Sequence, residues 1–514
     1  MKLKVTNQFL WMPVSVNSKQ VKLHFYAEGE KLQEIDICLG NRECDFYVSL
    51  EVSKWIGKEL TILSESGEVF AGSFLFREEK PDYSYAYRPK LHFTPEIGWH
   101  NDPNGLLFAD GFYHLYYQWN PYGVVWGNMH WGHSVSKDLI HWEHKPVALY
   151  PDHNGTIFSG SGIIDTSDKL SYGKDAHIYY YTAAGGTNEW SKKKDIPFTQ
   201  RMAYSADGGN TLLKSERFCM EHIIKENRDP KVFYHKQSGA YIMVLYLDGY
   251  DFAVFRSNDL IQWEETQRLH FDGMWECPDL FELPVDTTSK TKWVFWSADG
   301  YYVLGFFDGY TFQAETGVLN AYGTKLAYAA QTYSGTRDRV ISVAWLRMKN
   351  HRGNYCGLMS LPMELSLTET FDGIRLKLQP TKEFKRLEGT YQLLNEEEVL
   401  LKGIPACIKL CWDNSAEGET KLQIGNTKIT IQLNLNRLMI NTKENDSEVS
   451  VISLGRNMKQ ELTLILDQEV IEFLCNDGTV YGAVEVEENI LGKSVKIMET
   501  GNGITIEMCK LAAD

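Results

Sequence analysis

Nowhere in the chain do about eighteen apolar residues run together, so no transmembrane helix is expected. Cysteine is sparse: nine residues, at 38, 44, 219, 277, 356, 407, 411, 475 and 509, with no Cys-x-x-Cys pair and an odd total. That spacing argues against a zinc knuckle or a disulfide framework and for a reducing compartment. Positive charge is in deficit, 52 Lys and Arg against 68 Asp and Glu, for a formal net charge of −16. A nucleic acid or an anionic membrane would want a basic face, so neither is an expected partner. Long helical periodicity is scarce, and low-complexity segments are absent. The start, Met1-Lys2-Leu3-Lys4, leads into a short apolar stretch broken at Pro13 with no small-residue cleavage site. The expectation is therefore a cytoplasmic protein in which the sequon Asn154-Gly155-Thr156 goes unused.

Aromatic side chains are abundant. With 14 Trp and 28 Tyr in 514 residues, the chain carries more aromatic surface than packing alone requires, as clefts for neutral sugars do. Most segments read as short strands, alternating or aromatic-rich, closed by Gly, Asp and Asn turns. The expected fold class is all-β. Residues 1–80 contain alternating pieces such as Val21-Lys22-Leu23-His24-Phe25 and end in a charged linker, Arg77-Glu78-Glu79-Lys80-Pro81; they read as a small accessory β-sandwich.

Between residues 88 and 370 a phrase repeats. Ser136-Lys137-Asp138-Leu139-Ile140-His141-Trp142-Glu143 returns as Ser257-Asn258-Asp259-Leu260-Ile261-Gln262-Trp263-Glu264, identical at six of eight positions, with a related turn at Ser205-Ala206-Asp207-Gly208-Gly209-Asn210 between them. Spacings of 69 and 52 residues suit one four-stranded blade each, which points to a β-propeller with room for five blades. The repeated phrase itself reads as an outer hairpin turn, with Trp142 and Trp263 packed beneath it. Residues 382–514 alternate cleanly, as in Lys428-Ile429-Thr430-Ile431-Gln432-Leu433, and read as a second, larger β-sandwich.

A propeller collects side chains from every blade at its central channel, so carboxylates far apart in sequence can meet there. Three acids stand in Pro-bearing contexts of similar form, suggesting equivalent positions: Trp99-His100-Asn101-Asp102-Pro103-Asn104-Gly105, Asn227-Arg228-Asp229-Pro230-Lys231, and Trp275-Glu276-Cys277-Pro278-Asp279-Leu280. Glycosidic hydrolysis with retention needs two carboxyls about 5 to 5.5 Å apart, one nucleophile and one proton donor. Taken singly, an Asp-Pro pair is a solvated turn. His130 and His133 have a metal-like spacing but no third ligand nearby, so they read as structural.

The three segments together resemble glycoside hydrolase family 32, the invertases, levanases and inulinases. Asp102 lies in a heptad similar to that family's W-x-N-D-P-N-G; Asp229 and Glu276 match its R-D-P and E-C-P-D motifs. Gly111-Phe112-Tyr113-His114-Leu115-Tyr116-Tyr117-Gln118-Trp119-Asn120-Pro121, Trp126-Gly127-Asn128-Met129-His130-Trp131-Gly132-His133 and Phe158-Ser159-Gly160-Ser161-Gly162 extend the match over roughly residues 90 to 365. The carboxy-terminal sandwich is supported by Leu466-Asp467-Gln468-Glu469-Val470-Ile471-Glu472-Phe473, and the amino-terminal unit looks like an accessory domain of levanase-like members.

The resemblance implies a five-bladed propeller plus β-sandwich that releases terminal β-D-fructofuranosyl units from sucrose, fructo-oligosaccharides or fructans through a covalent fructosyl-enzyme. Asp102 would be the nucleophile, Glu276 the acid and then base, and Asp229 the stabiliser of the transition state. Asn101, Gln118, Trp126, Phe158, Ser159 and Arg228 are counterparts of the family's sugar contacts, and Trp345 is a further candidate for the wall. No metal and no cofactor is implied, and the number of subunits, a homo-oligomer included, stays open. Trp275 and Cys277 are expected to give Glu276 part of an apolar setting that keeps it protonated. Many relatives carry Asp or Asn where this chain has Leu326, a change expected to act beyond the first sugar. A fructosyltransferase on the same scaffold and a non-catalytic sugar-binding propeller are the competing readings.

Overall fold

In the computed structural model the residues described are 1–41, 43–64, 74–85, 87–286, 288–394, 397–442, 450–453 and 459–513. Strands dominate; the α-helices among these residues, Glu189–Lys192 and Lys382–Lys385, are single turns.

The first unit is a pair of antiparallel sheets. One orders Lys2–Lys4, Glu59–Ser64, Val21–Ala27 and Glu30–Ile37, leaving Glu30–Ile37 at an edge; the other orders Phe46–Glu51, Phe9–Val14 and Leu75–Arg77. Its core, with Leu10, Phe25, Ile35 and Val48, is continuous with Phe93, Ile97, Leu115 and Trp119 of the unit that follows.

Five antiparallel sheets come next. Their first strands are Gly98–Ala109, Thr156–Asp165, Arg228–His235, Asp279–Pro284 and Ala327–Thr332, and each sheet is extended outward mainly by the strands that follow in sequence. Second strands such as Phe112–Asn120 and Ala240–Asp248 are buried almost throughout, as strands covered on both faces are. Outer strands alternate, as in Met363–Thr370. This is a five-bladed propeller.

The Ser136 and Ser257 phrases are the turns between third and fourth strands of blades one and three, and the Ser205 turn occupies the same place in blade two. In both copies the serine hydroxyl accepts from a leucine amide, at 2.8 Å for Leu139 and 2.9 Å for Leu260, and each leucine sits in the left-handed region. Trp142 packs edge-on to Phe93 and Trp263 to Tyr180. The fifth blade's last strand, Gly373–Pro380, lies beyond the boundary at 370 read from the sequence, because a tight turn joins it to Met363–Thr370.

The ring is not closed by its ends. Tyr355–Cys356, from the connection between second and third strands of blade five, pairs in parallel with Gly98 and Trp99 at the start of blade one. Two six-stranded sheets follow and pack around Ile408, Ile429, Leu464 and Phe473. A second cluster with Leu378, Phe384, Cys407 and Ile465 fills the seam to the propeller.

Three acids of the Leu466 to Phe473 segment lock that seam. Asp467 accepts from the backbone N–H groups of Lys90 at 3.0 Å and Leu91 at 2.8 Å and from the His92 ring at 2.9 Å. Glu472 takes the other His92 nitrogen at 3.2 Å and the Leu361 N–H at 2.9 Å. Glu469 holds Arg352 at 2.6 Å and the Tyr355 hydroxyl at 2.8 Å, beside the strand that closes the ring. Desolvation disfavours a charged imidazole at His92, but the bonds and charges of Asp467 and Glu472 outweigh it and push the ring up to about 9, so it is charged at neutral pH.

Candidate active site

Each innermost strand breaks its ladder near its start. His100 and Pro103 pair with Trp119 and Tyr117, so three steps on one strand match two on the other. The same single-residue bulge recurs between Ile157 and Gly160, Arg228 and Lys231, and Tyr328 and Gln331. In blade four the Ala298 N–H donates to the Glu276 carbonyl while Trp296 pairs with Asp279, which gives the same count. A bulge adds one unpaired residue and re-aims the side chains around it, and here five of them converge on one mouth. The pocket there is lined by Asp102, Ser159, Asp229, Cys277, Ala329 and their neighbours in the bulges.

This register corrects the equivalence expected of the three acids. Glu276 takes the first place of its bulge, aligned with Arg228 and Tyr328; Asp229 takes the second, aligned with Asn101, Phe158, Cys277 and Ala329; Asp102 takes the third, aligned with Ser159 and Pro230. The shared proline does not mark a shared position. Non-glycine residues of the bulges sit in the left-handed region, with φ of 63° at Asp229, 52° at Glu276, 43° at Cys277 and 51° at Ala329. Such conformations cost about 1 kcal/mol or more each and persist where the surroundings over-determine them.

Asp102 is surrounded by donors. Its Oδ1 accepts from Asn101 Nδ2 at 3.2 Å; its Oδ2 accepts from Ser159 Oγ at 2.6 Å, Gln118 Nε2 at 3.5 Å and Cys277 Sγ at 3.7 Å. Gln118 also donates to Ser159 at 2.6 Å, and the Trp99 indole fixes Asn101 at 3.1 Å. Asp229 accepts from the Cys277 N–H at 3.1 Å and from its thiol at 3.5 Å, so one sulfur touches both carboxylates. Glu276 gives one oxygen to Arg228 Nη2 at 2.5 Å and the other to the Tyr328 hydroxyl.

Burial dominates the electrostatics. It raises the Asp102 carboxyl, opposed by the hydrogen bonds from Ser159 and Asn101 and reinforced by the Glu276 charge. It lifts Asp229 to about 7, opposed by Arg228 and reinforced by Asp102 and Glu276. Desolvation works against the Arg228 charge as well, yet Asp229 and Glu276 on either side hold the guanidinium above its usual range, stacked 4.8 Å from the Tyr246 ring centre.

The residues read from the sequence distribute unevenly. Asn101, Gln118, Ser159 and Arg228 touch the carboxylates directly. Trp126 is 55% exposed on a rim loop and meets Phe158 edge-on at 6.2 Å, so these two form a wall above the acids. Trp345 lies against Trp99 at 5.7 Å and Tyr328 at 6.3 Å and makes no hydrogen bond to the acids. The apolar setting expected for Glu276 is not there: Trp275 is 43% exposed with its indole on Asp299 at 3.0 Å, and a guanidinium and a phenol hold the carboxyl instead. Leu326 packs against the cluster that fills the seam to the second sandwich and is not among the residues lining the pocket. His133 bonds His114 at 3.1 Å in the interior of blade one, and among the described residues no group of three or more metal-ligating side chains comes together.

The parts played by two residues lie outside the sequence reading. Tyr328 stands in the stretch from Leu326 to Gln331, where the motif directs attention to Leu326. Cys277, expected to supply part of an apolar setting for Glu276, serves instead through its thiol hydrogen bonds to Asp102 and Asp229.

Fold and site together define a carbohydrate-cleaving enzyme on a propeller. The family profile "Glycosyl hydrolases family 32 N-terminal domain" matches residues 92–380. A levanase of Bacillus subtilis is 33% identical over 78% of this chain and 67% of its own length. An extracellular exo-inulinase of Aspergillus awamori is 30% identical over 60% of this chain and 67% of its own. The crystal structure of an exo-inulinase from Aspergillus awamori superposes with a TM-score of 0.74 at 22% identity, covering 84% of this chain and 99% of that one. A fructofuranosidase from Schwanniomyces occidentalis complexed with fructose gives 0.69 at 25% identity, covering 84% and 99%. The chain belongs to glycosyl hydrolase family 32.

Proposed function

We propose that the protein is a retaining β-fructofuranosidase that removes terminal fructose from sucrose, fructo-oligosaccharides or fructans, with Asp102 as nucleophile and Glu276 as acid and base. The observation that carries this reading is the half-buried Asp102 carboxylate, gripped by four side-chain donors and set within the field of Glu276 across the bulges. Relatives named levanase, exo-inulinase and invertase support the substrate class.

Hydrogen bonds to the charged form keep a carboxylate ionised, and Asp102 receives more of them than Asp229. Asp102 is the better held of the two as an anion, whereas burial lifts the Asp229 carboxyl to about 7. An oxygen of Asp102 attacks the anomeric C2 of fructose; the C2–O bond breaks, and its electron pair collects the proton of Glu276. Water then attacks C2, gives its proton to Glu276, and Asp102 leaves as carboxylate. Asp229 and Arg228 face the ring hydroxyls, where their bonds tighten as charge develops. Arg228 and Tyr328 hold Glu276 in position until the leaving oxygen arrives.

Turnover of sucrose, inulin and levan by the wild type, Asp102→Ala and Glu276→Ala tests the roles. Each variant is expected to lose about three orders of magnitude or more in kcat with an unchanged circular dichroism spectrum. Near wild-type turnover in either would reject the assignment. Oligosaccharides longer than the donor at modest sucrose concentration would reject hydrolysis in favour of transfer.

A further inference from the structure

Besides the shared core, one edge of the amino-terminal sandwich meets the rim of the pocket. Among the described residues, strand Glu30–Ile37 has no strand partner on its outer side. There the Asp36 N–H donates to Asn128 Oδ1 at 2.8 Å, and Asn128 Nδ2 donates back to the Asp36 carbonyl at 2.8 Å. The side-chain amide thus pairs with the edge as a further strand would. Two residues along the same strand, Glu34 accepts from the Glu189 N–H at 2.9 Å, and Lys31 lies 4.6 Å from the Trp190 ring centre.

Both contacted segments are rim loops. Residues 121–129 join the second and third strands of blade one and carry Trp126; residues 185–198 join the same strands of blade two and end at Phe198, which packs on Phe158 at 5.7 Å. Trp126 stands between two anchors. Asn120 Nδ2 holds the Val125 carbonyl at 2.8 Å on one side, and Asn128, in the left-handed region with φ of 46°, is held by Asp36 on the other. Asn128 also donates to Asn120 Oδ1 at 3.0 Å, which closes the loop on itself. Without these anchors a half-exposed tryptophan on such a loop would sample several positions.

We propose that the amino-terminal sandwich belongs to the substrate-recognition apparatus: its edge strand fixes the Trp126 and Trp190 rim loops so that they receive the fructosyl units beyond the terminal one in a fructan chain. This rests on the fructosidase reading above. The terminal sugar is bound by the bulge residues beneath the rim, so the device acts on chain length and leaves the chemistry alone. Asn128 and the edge strand are positioning elements.

The clamp can be cut from the side away from the catalytic unit. Asp36→Pro deletes the N–H that Asn128 accepts, at an edge position where that N–H serves no ladder. Asn128→Ala removes both halves of the same pairing. We expect KM for inulin to rise about fivefold or more in each, kcat on sucrose to stay within about twofold, and the double variant to match the single ones rather than multiply them. Glu34→Ala, which takes the acceptor from the second loop and the carboxylate that holds Lys31 at 2.6 Å and Lys22 at 3.3 Å, leaves the Asn128 pairing intact and should raise the inulin KM in the same direction. Equal losses on sucrose and inulin, or an unchanged inulin KM in all well-folded variants, would overturn the proposal. A wild type that releases no fructose from either sugar removes the functional reading and this proposal with it.

Discussion

Asp229 lies buried against Asp102 and Glu276, and its carboxyl is lifted from 3.8 to about 7. A raised carboxyl is a stability penalty whose size follows from the rise. At about 1.36 kcal/mol for each tenfold change in proton affinity, it sets a ceiling of about 4 kcal/mol at alkaline pH. The sign follows from proton counting. Between about pH 4 and 7 the native state holds a proton that the unfolded chain has released, so stability falls as pH rises through that window; below it both states are protonated and the penalty vanishes. Asp229→Asn removes the titrating group, and its amide oxygen can still accept from the Cys277 N–H. The variant is expected to be more stable than the wild type by about 2 to 4 kcal/mol at pH 8 and nearly indistinguishable from it at pH 4. For one cooperative unit of 514 residues that is a rise in Tm of roughly 2 to 4 °C. Calorimetry and urea unfolding at pH 4, 6 and 8 measure it, while sucrose turnover falls sharply because the ring hydroxyls lose their partner. A variant that is equally stable or less stable at pH 8 would refute the electrostatic account of the pocket.

Other perturbations reach other parts of the argument. Tyr328→Phe takes the hydroxyl from Glu276 and should lower kcat about tenfold with little change in KM, read by steady-state kinetics. The charged His92 stabilises the seam fully below about pH 6.5, and that contribution is lost as pH rises through about 9, so the wild-type urea midpoint should drop between about pH 6.5 and 9. His92→Gln should cost about 3 to 5 kcal/mol at pH 6, because it leaves two buried carboxylates facing each other. A β-carbon at Gly160 would run into the Tyr180 carbonyl, so Gly160→Ala should lower Tm strongly or abolish soluble expression, measured by thermal unfolding.

Much of this is legible in the chain because strand chemistry is local. The turn serines at 136 and 257 announce blades, since a hydroxyl that caps two amides leaves a fixed local signature. The acids are legible as motifs, and the motif set carries them further than composition does. What stays hidden depends on register. Whether Asp102, Asp229 and Glu276 occupy one place or three in a bulge is decided by how many residues the partner strand supplies, and the chain does not print its pairing. The environment of Glu276 is hidden for the same reason: Trp275 is its neighbour in sequence, whereas Arg228 and Tyr328 are its neighbours across blades. Leu326 shows the converse, a substitution in a functional-looking stretch that serves a domain seam. The clamp on Asn128 comes from 92 residues upstream and leaves no trace in the catalytic motif it stabilises.

The repeated bulge also has a consequence for change over time. Blade five contributes two alanines, Ala329 and Ala330, at the places where the other blades present Asn101 and Asp102, Phe158 and Ser159, Asp229 and Pro230, or Cys277 and Pro278. The backbone there is already bent toward the pocket, yet at these two places, between Tyr328 and Gln331, only methyl groups face it. One sector of the catalytic circle is thus a blank tile, open to a new functional group by a single codon while the working acids keep their seats.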